Sequence, residues 1–171
     1  MALENQMTIV QLQSVDEHLA ELSELLIAVV EDGASIGFLP PLERSEAAEY
    51  WANVPGPGVL LFAAAIERKI VGSVQLHLSA KANGAHRAEI AKLMTHPQYR
   101  RLGIGRMLMR MAEEQARQEG RSLLVLDTRE GDASNRLYAS IGFTPAGRIP
   151  RYARSANGEL HATVFYYKEL S

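Results

Sequence analysis

The chain contains no cysteine. That absence removes disulfides, thiolate metal ligands and a cysteine nucleophile together. It also fits a reducing compartment, so a cytoplasmic location is expected. A charge excess of one sign is missing too. Eighteen Lys and Arg stand against 20 Asp and Glu, a net charge of -2, so no nucleic-acid partner is expected. Long apolar runs are absent. The most apolar stretch, Val59 to Ile66, has the length of a strand and lies between Pro55-Gly56-Pro57-Gly58 and Glu67-Arg68-Lys69. The stretch Met1 to Gln13 carries Glu4 and reads as neither a signal peptide nor a membrane anchor, so no membrane partner is expected. Met7 is a second candidate start. What is present is an ordinary globular composition, 47% apolar and 22% charged. No repeat, low-complexity tract or long linker divides the 171 residues, so one domain over 1–171 is expected.

The periodicities predict a mixed α/β (α+β) chain. Met7 to Leu12 reads as a strand. Ser14 and Glu17 have the spacing of a capping box, and Leu19, Leu22, Leu25, Leu26 and Val29 then recur as one face of a helix reaching about Val30. Asp32 to Phe38 is a loop with two glycines, and a short helix is expected over about Arg44 to Asn53. Val59–Ile66 and Ile70–Leu78 form a hairpin across Glu67-Arg68-Lys69, and the second strand alternates Val71, Ser73, Gln75, His77 with Gly72, Val74, Leu76, Leu78. Asn83-Gly84 marks a turn, and Glu89 to Thr95 is a strand stopped by Pro97. Ile104, Met107, Leu108, Met111 and Ala112 line a strongly amphipathic helix closed by Gly120. Glu113 and Arg117 are set for an i,i+4 pair on its other face. Ser122 to Asp127 has the near-continuous apolar pattern of a strand buried on both faces. A helix over Ala133 to Ile141, closed by Gly142, and two strands around Asn157-Gly158 complete the order β-α-α-β-β-β-α-β-α-β-β.

The segment Met94 to Leu108 carries the functional signal. A strand ends at Pro97, an arginine- and glycine-rich turn follows, and a helix begins at once. Backbone N–H groups in a first helical turn lack intrahelical partners and form the positive end of the helix dipole. An anion placed there collects several hydrogen bonds. Gly103 and Gly105 lack a Cβ, which lets a phosphate approach, and Arg100, Arg101 and Arg106 add positive charge. The third glycine of a dinucleotide fingerprint is missing, and so is the Gly-Lys-Ser/Thr of a P-loop.

Arg100-Arg101-Leu102-Gly103-Ile104-Gly105 resembles the R/Q-x-x-G-x-G/A signature of the GNAT superfamily of N-acetyltransferases. Asn135 to Phe143 resembles its N-x-x-Y-x-x-x-G-F segment. The resemblance covers almost the whole chain and implies acetyl-CoA as co-substrate. The fold it implies is a mixed central sheet of about seven strands flanked by about four helices, with a V-shaped splay between the two central parallel strands. It also implies that the turn binds the pyrophosphate, that the edge of Leu93-Met94-Thr95 pairs with the pantetheine amides, and that Asn135 and Tyr138 contact the cofactor. A narrower likeness, to the tabtoxin-resistance acetyltransferases, rests on Gly33-Ala34-Ser35 with Gly37-Phe38, Arg87-Ala88-Glu89, Lys92-Leu93-Met94, Leu126-Asp127-Thr128, and Leu160-His161 with Thr163. It implies a small amino-acid-like acceptor and a role in toxin or antibiotic resistance.

Amine acetylation needs a neutral amine, a donor for the carbonyl oxygen and an acid beside the departing thiolate. With no cysteine, direct attack in a ternary complex is the simple route. Tyr138 is the candidate acid, and the alternative is a tyrosine that only packs its helix on the sheet. The backbone N–H of Met94 or a neighbour is the candidate oxyanion donor. Glu89 and Asp127 are candidate bases or amine-holding groups. Alternatively they pair with local arginines such as Arg87 or Arg129. Ser35, Phe38 and Tyr152 complete the expected substrate contacts, while Trp51 reads as a packing residue. His77 and His161 lack a second ligand at a metal-site spacing, so no metal is expected. Two other readings stand beside the small-molecule enzyme: protein N-terminal or lysine acetylation, and a non-catalytic acyl-CoA sensor. Homodimers are common in the superfamily, and nothing in the sequence demonstrates one.

Overall fold

A computed structural model describes residues 6–171; Met1–Asn5, most of the extension ahead of Met7, lie outside the described residues. Seven strands form one sheet: β1 (Met7–Leu12), β2 (Val59–Ile66), β3 (Lys69–Leu78), β4 (Arg87–Thr95), β5 (Leu123–Arg129), β6 (Thr144–Arg154) and β7 (Leu160–Glu169). Their order across the sheet is β1-β2-β3-β4-β5-β7-β6. Neighbours are antiparallel except for β4 and β5, which run parallel. Four helices cover the sheet: α1 (Leu19–Glu31), α2 (Arg44–Ala52), α3 (Ile104–Gln118) and α4 (Ser134–Ser140). The mixed sheet, its flanking helices and the central splay expected from the sequence are all present.

Two cores follow from the two sheet faces. On one face Ile104, Leu108, Met109 and Ala112 of α3 pack with Phe62, Val74, Leu76, Leu124 and Tyr138. On the other, Leu22, Leu25, Leu26 and Val29 of α1 pack with Trp51, Leu61, Ala63 and Met94. Each fully buried Leu, Ile or Phe contributes about 2 kcal/mol of transfer free energy, so both helical stripes are held firmly. Trp51 is fully buried, which makes it a core residue and not a cavity wall.

Three local expectations change. The capping box does not form: Ser14 Oγ accepts from the Asp16 amide at 3.2 Å, a 3-10 turn spans Asp16–His18, and α1 begins at Leu19 without a side-chain cap. A serine that bonds two residues ahead closes a local turn in place of a helix cap. The β2–β3 hairpin turns on Glu67 and Arg68 alone, both left-handed (φ 50° and 68°), with Ile66 paired to Lys69. That is the geometry matching the twist of a two-residue hairpin. Finally, β5 is not buried on both faces. Leu124 and Leu126 are buried, but Leu123 and Val125 are half-exposed and Asp127 is exposed. The sheet opens on that side.

Two features keep the closed end of this opening together. The Arg121 guanidinium donates to the Ser79 carbonyl at 3.0 Å and also to the Ala85 carbonyl. Ser122 N–H donates to the His86 carbonyl at 2.8 Å. On the α3 side, Gly72 lets helix and sheet meet. A Cβ there stands 2.8 Å from Ile104 Cγ2 and 3.0 Å from the Met94 carbonyl oxygen. Gly72→Ala is therefore expected to cost about 2 kcal/mol and to lower Tm by roughly 5 °C, readable by calorimetric melting. An unchanged Tm refutes the tight packing.

Candidate active site

The central strands part almost as soon as they meet. β4 and β5 pair only at Arg87–Leu123, Ala88–Leu124 and Glu89–Val125. Beyond Glu89 the facing edges of both strands are unpaired with each other, and a cavity of about 360 Å³ opens between them. Its walls come from β4 (Glu89 to Leu93), β5 (Asp127 to Arg129), the loop Ala34 to Gly37, and Tyr152 and Thr163 of the last two strands. Tyr138 enters from α4, in the opposite layer.

Glu89 and Val125 share a register position, so Asp127, two residues on, presents the same face as Glu89. The two carboxylates thus stand on opposite walls of one cleft. Neither forms an ion pair with Arg87 or Arg129 among the described residues. Arg129 bonds Asp132 at 3.0 Å, Ser155 Oγ at 3.0 Å and the Gly33 carbonyl at 3.0 Å, and so fastens the α1–α2 loop to the cleft rim. The Thr163 hydroxyl lies 2.7 Å from Asp127 Oδ2 and holds that carboxylate in place.

Tyr138 is buried, and among the described residues its phenol has no hydrogen-bond partner. Burial, then the nearby charges of Asp127 and Asp132 and the Tyr166 phenol, push it far above its usual range. A neutral phenol with a free proton therefore faces the cavity. Lys92 lines the β4 wall of the same cavity. Burial pulls its ammonium below the usual lysine range, while Asp127 and Glu89 pull it back up.

At the far end, α3 starts at Ile104 with Gly103 as its left-handed N-cap (φ 79°), and no side chain caps the turn. The first helical bond runs from Met107 N to the Gly103 carbonyl at 3.0 Å. The amides of Ile104, Gly105 and Arg106 lack intrahelical partners. Beyond its chain neighbours, no atom of the described residues lies within 4 Å of where a Gly103 Cβ would sit, whereas one at Gly105 would meet Leu137 Cδ2 at 3.3 Å. Gly103 thus leaves space for a ligand, while Gly105 serves the packing of α3 on α4. This cradle fits an anionic group.

The other expected residues take varied places. Leu93, Ser35 and Tyr152 line the cleft. Met94 is buried in the core under α1, and Thr95 pairs with Gly72. Leu102 is half-buried against the α3 core, and Arg101 is left-handed (φ 62°). Arg100 is held by Asp32 at 2.6 Å, and Arg106 by Ser140 Oγ at 2.9 Å. Phe38 is not among the cleft-lining residues; its ring meets Tyr50 edge-on at 5.1 Å. Asn135 donates to the Arg129 and Asp132 carbonyls, both at 2.9 Å, and accepts from Tyr166 Oη at 2.8 Å. Both its amide hydrogens therefore serve the β5–α4 connection.

A family model described as the acetyltransferase (GNAT) family matches residues 27–143, more than half of the chain. The chain belongs to the GNAT acetyltransferase family. It is thus an acetyl-CoA-dependent N-acetyltransferase by kinship. An uncharacterized N-acetyltransferase of the hisH-hisA intergenic region of Azospirillum brasilense is 33% identical over 115 residues, 66% of this chain and 68% of that protein. Among solved structures, yncA of Salmonella typhimurium, determined with its cofactor acetyl-CoA, has a TM-score of 0.80 at 21% identity, covering 98% of this chain and 95% of that one. A GCN5-related N-acetyltransferase from Kribbella flavida reaches a TM-score of 0.82 at 19% identity, with 98% and 99% covered. These two establish the likeness of fold.

Proposed function

We propose that this GNAT enzyme is a single-domain acetyltransferase whose acceptor is the primary amine of a small, amino-acid-like molecule, as in detoxification of an amine-bearing toxin. The observation that carries this reading is the unpartnered Tyr138 phenol in the β4–β5 gap, with Asp127 and Glu89 on the walls beside it. In this reading the open amides at Ile104 to Arg106 hold the diphosphate of acetyl-CoA, and the free edge of β4 orders its pantetheine arm. Asp127, steadied by Thr163, and Glu89 hold the amine and take its proton, directly or through water. The C–N bond forms as the C–S bond breaks, and Tyr138 donates a hydrogen bond to the sulfur that leaves. A main-chain N–H near Met94 serves the carbonyl oxygen. Acetyl-CoA supplies the activated acyl group; the protein supplies placement and proton management.

Fastening of the α1–α2 loop by Arg129 favours a small acceptor, since a peptide needs an open groove. Release of free coenzyme A across a panel of amino acids, polyamines and short peptides tests this. Turnover with small amines supports the proposal. Turnover with peptides alone replaces it by protein acetylation, and cofactor binding without turnover replaces it by a sensor role.

A further inference from the structure

A second cavity, of about 390 Å³, lies on the α2 side of β3 and β4. Glu89, Ala91 and Lys92 line both cavities, so the two are neighbours across one short segment of β4. Asp127 and Tyr138 line only the first; Tyr50 and His77 line only the second. A molecule reaching from the first cavity into the second passes Asp127, then Glu89 and Lys92, then Tyr50. We infer that Lys92 and Tyr50 form a carboxylate-binding subsite, which selects zwitterionic acceptors over plain amines; this rests on the small-amine reading above.

The placement of Lys92 is built into the backbone. Between Ser73–Met94 and Gln75–Ala91 the β3–β4 register slips, and Lys92 takes a left-handed conformation (φ 55°) at this bulge. A bulge re-aims the side chain it carries. The ammonium lies under the α1–α2 loop, where a Cβ on Gly37 would come within 3.2 Å of Nζ. Among the described residues it makes neither an ion pair nor a hydrogen bond. Its three protons are therefore available, while two carboxylates stand near enough to act on its charge.

Tyr50 is prepared by a one-way relay. Gln75, almost fully buried, accepts a hydrogen bond on Oε1 from His77 Nε2 at 2.9 Å and donates one from Nε2 to Tyr50 Oη at 2.8 Å. The Tyr50 hydroxyl proton is left for the cavity. Burial lowers His77, which keeps it neutral, and raises Tyr50, which keeps it a donor. Phe38 braces the Tyr50 ring edge-on. The Asn53 amide is already used by the Glu49 carbonyl.

Charge then alternates along the path. An ammonium fits between Asp127 and Glu89, and a carboxylate fits against Lys92 and Tyr50. A plain amine or diamine meets the same two acids but leaves the Lys92 and Tyr50 donors without the acceptor that a carboxylate supplies. Two charge-assisted hydrogen bonds are enough for discrimination of at least about tenfold.

The test compares amino acids with their decarboxylated amines by coenzyme A release, in the parent, Lys92→Gln, Lys92→Arg and Tyr50→Phe. Acetyl-CoA titration and melting report whether each variant is folded. The parent is expected to favour the amino acid in kcat/KM by at least about tenfold. Lys92→Gln is expected to bring that ratio to near one, Lys92→Arg to keep most of it, and Tyr50→Phe to lower it about threefold. A parent that prefers the plain amine overturns the inference, as does a ratio unchanged in Lys92→Gln. If Lys92→Gln does not fold, an unchanged ratio in Tyr50→Phe overturns it. Acetylation of small amines without carboxylate preference sinks this subsite alone. Acetylation of peptides only, or of nothing, sinks the small-amine function and the subsite together.

Discussion

Gly103→Val is expected to weaken acetyl-CoA binding by about 100-fold, the equivalent of two lost charge-assisted hydrogen bonds. The reason lies in what surrounds the residue. Gly103 caps α3 in a left-handed conformation (φ 79°), with open space where a Cβ would point. The Cβ of a valine there meets no atom within 4 Å beyond its chain neighbours. In the proposed cofactor site its side chain enters the space through which a diphosphate reaches the amides of Ile104 to Arg106. The left-handed backbone adds a strain of about 1–2 kcal/mol, so a modestly lower Tm is expected without loss of fold. Calorimetric titration with acetyl-CoA measures the effect. Affinity equal to that of the parent removes the turn from the cofactor site.

Tyr138→Phe is expected to lower kcat by about 100-fold while changing acetyl-CoA affinity by less than about threefold. The substitution isolates the hydroxyl, because the ring keeps its contacts with Phe143 and Tyr166 and no buried partner is orphaned. The pH dependence gives an independent check. In the proposed role the group is a donor, so its protonated form is the active one. Burial and neighbouring carboxylates raise its pKa, which extends that form upward in pH. Activity is therefore expected to show no alkaline limb from Tyr138 at the ordinary tyrosine value of about 10. Equal rates for mutant and parent remove the donor role. A limb at the ordinary value that disappears in Tyr138→Phe shows instead that the phenol is solvated.

The elements that carry these predictions were legible because local signals agreed. The strand–turn–helix around Gly103 combined a periodic apolar face with a proline stop and glycines, and each is a property of a few consecutive residues. Other features depend on pairing across the sheet. The bulge that turns Lys92 toward the cleft is a slip in register with β3, and no composition at Ile90 to Met94 announces it. Ser73, Gln75 and His77 alternate along β3, but the burial of Ser73 and Gln75 beneath α1 and α2 depends on helices from distant sequence. Asn135 was legible as a residue type; its partners, Arg129, Asp132 and Tyr166, appear only once α4 is docked. The capping box failed because serine has a nearer amide within reach.

The brief β4–β5 pairing divides the sheet into two leaves, β1-β2-β3-β4 and β5-β7-β6, bound along a spine of three residue pairs. Arg121 clasps that spine through carbonyls on the first leaf. The aperture between Glu89 and Asp127 is therefore governed at the binding, by groups that face away from the reacting atoms. Drift in those outlying residues can widen or narrow the gap, and so retune which acceptors fit, with every side chain inside it left as it was.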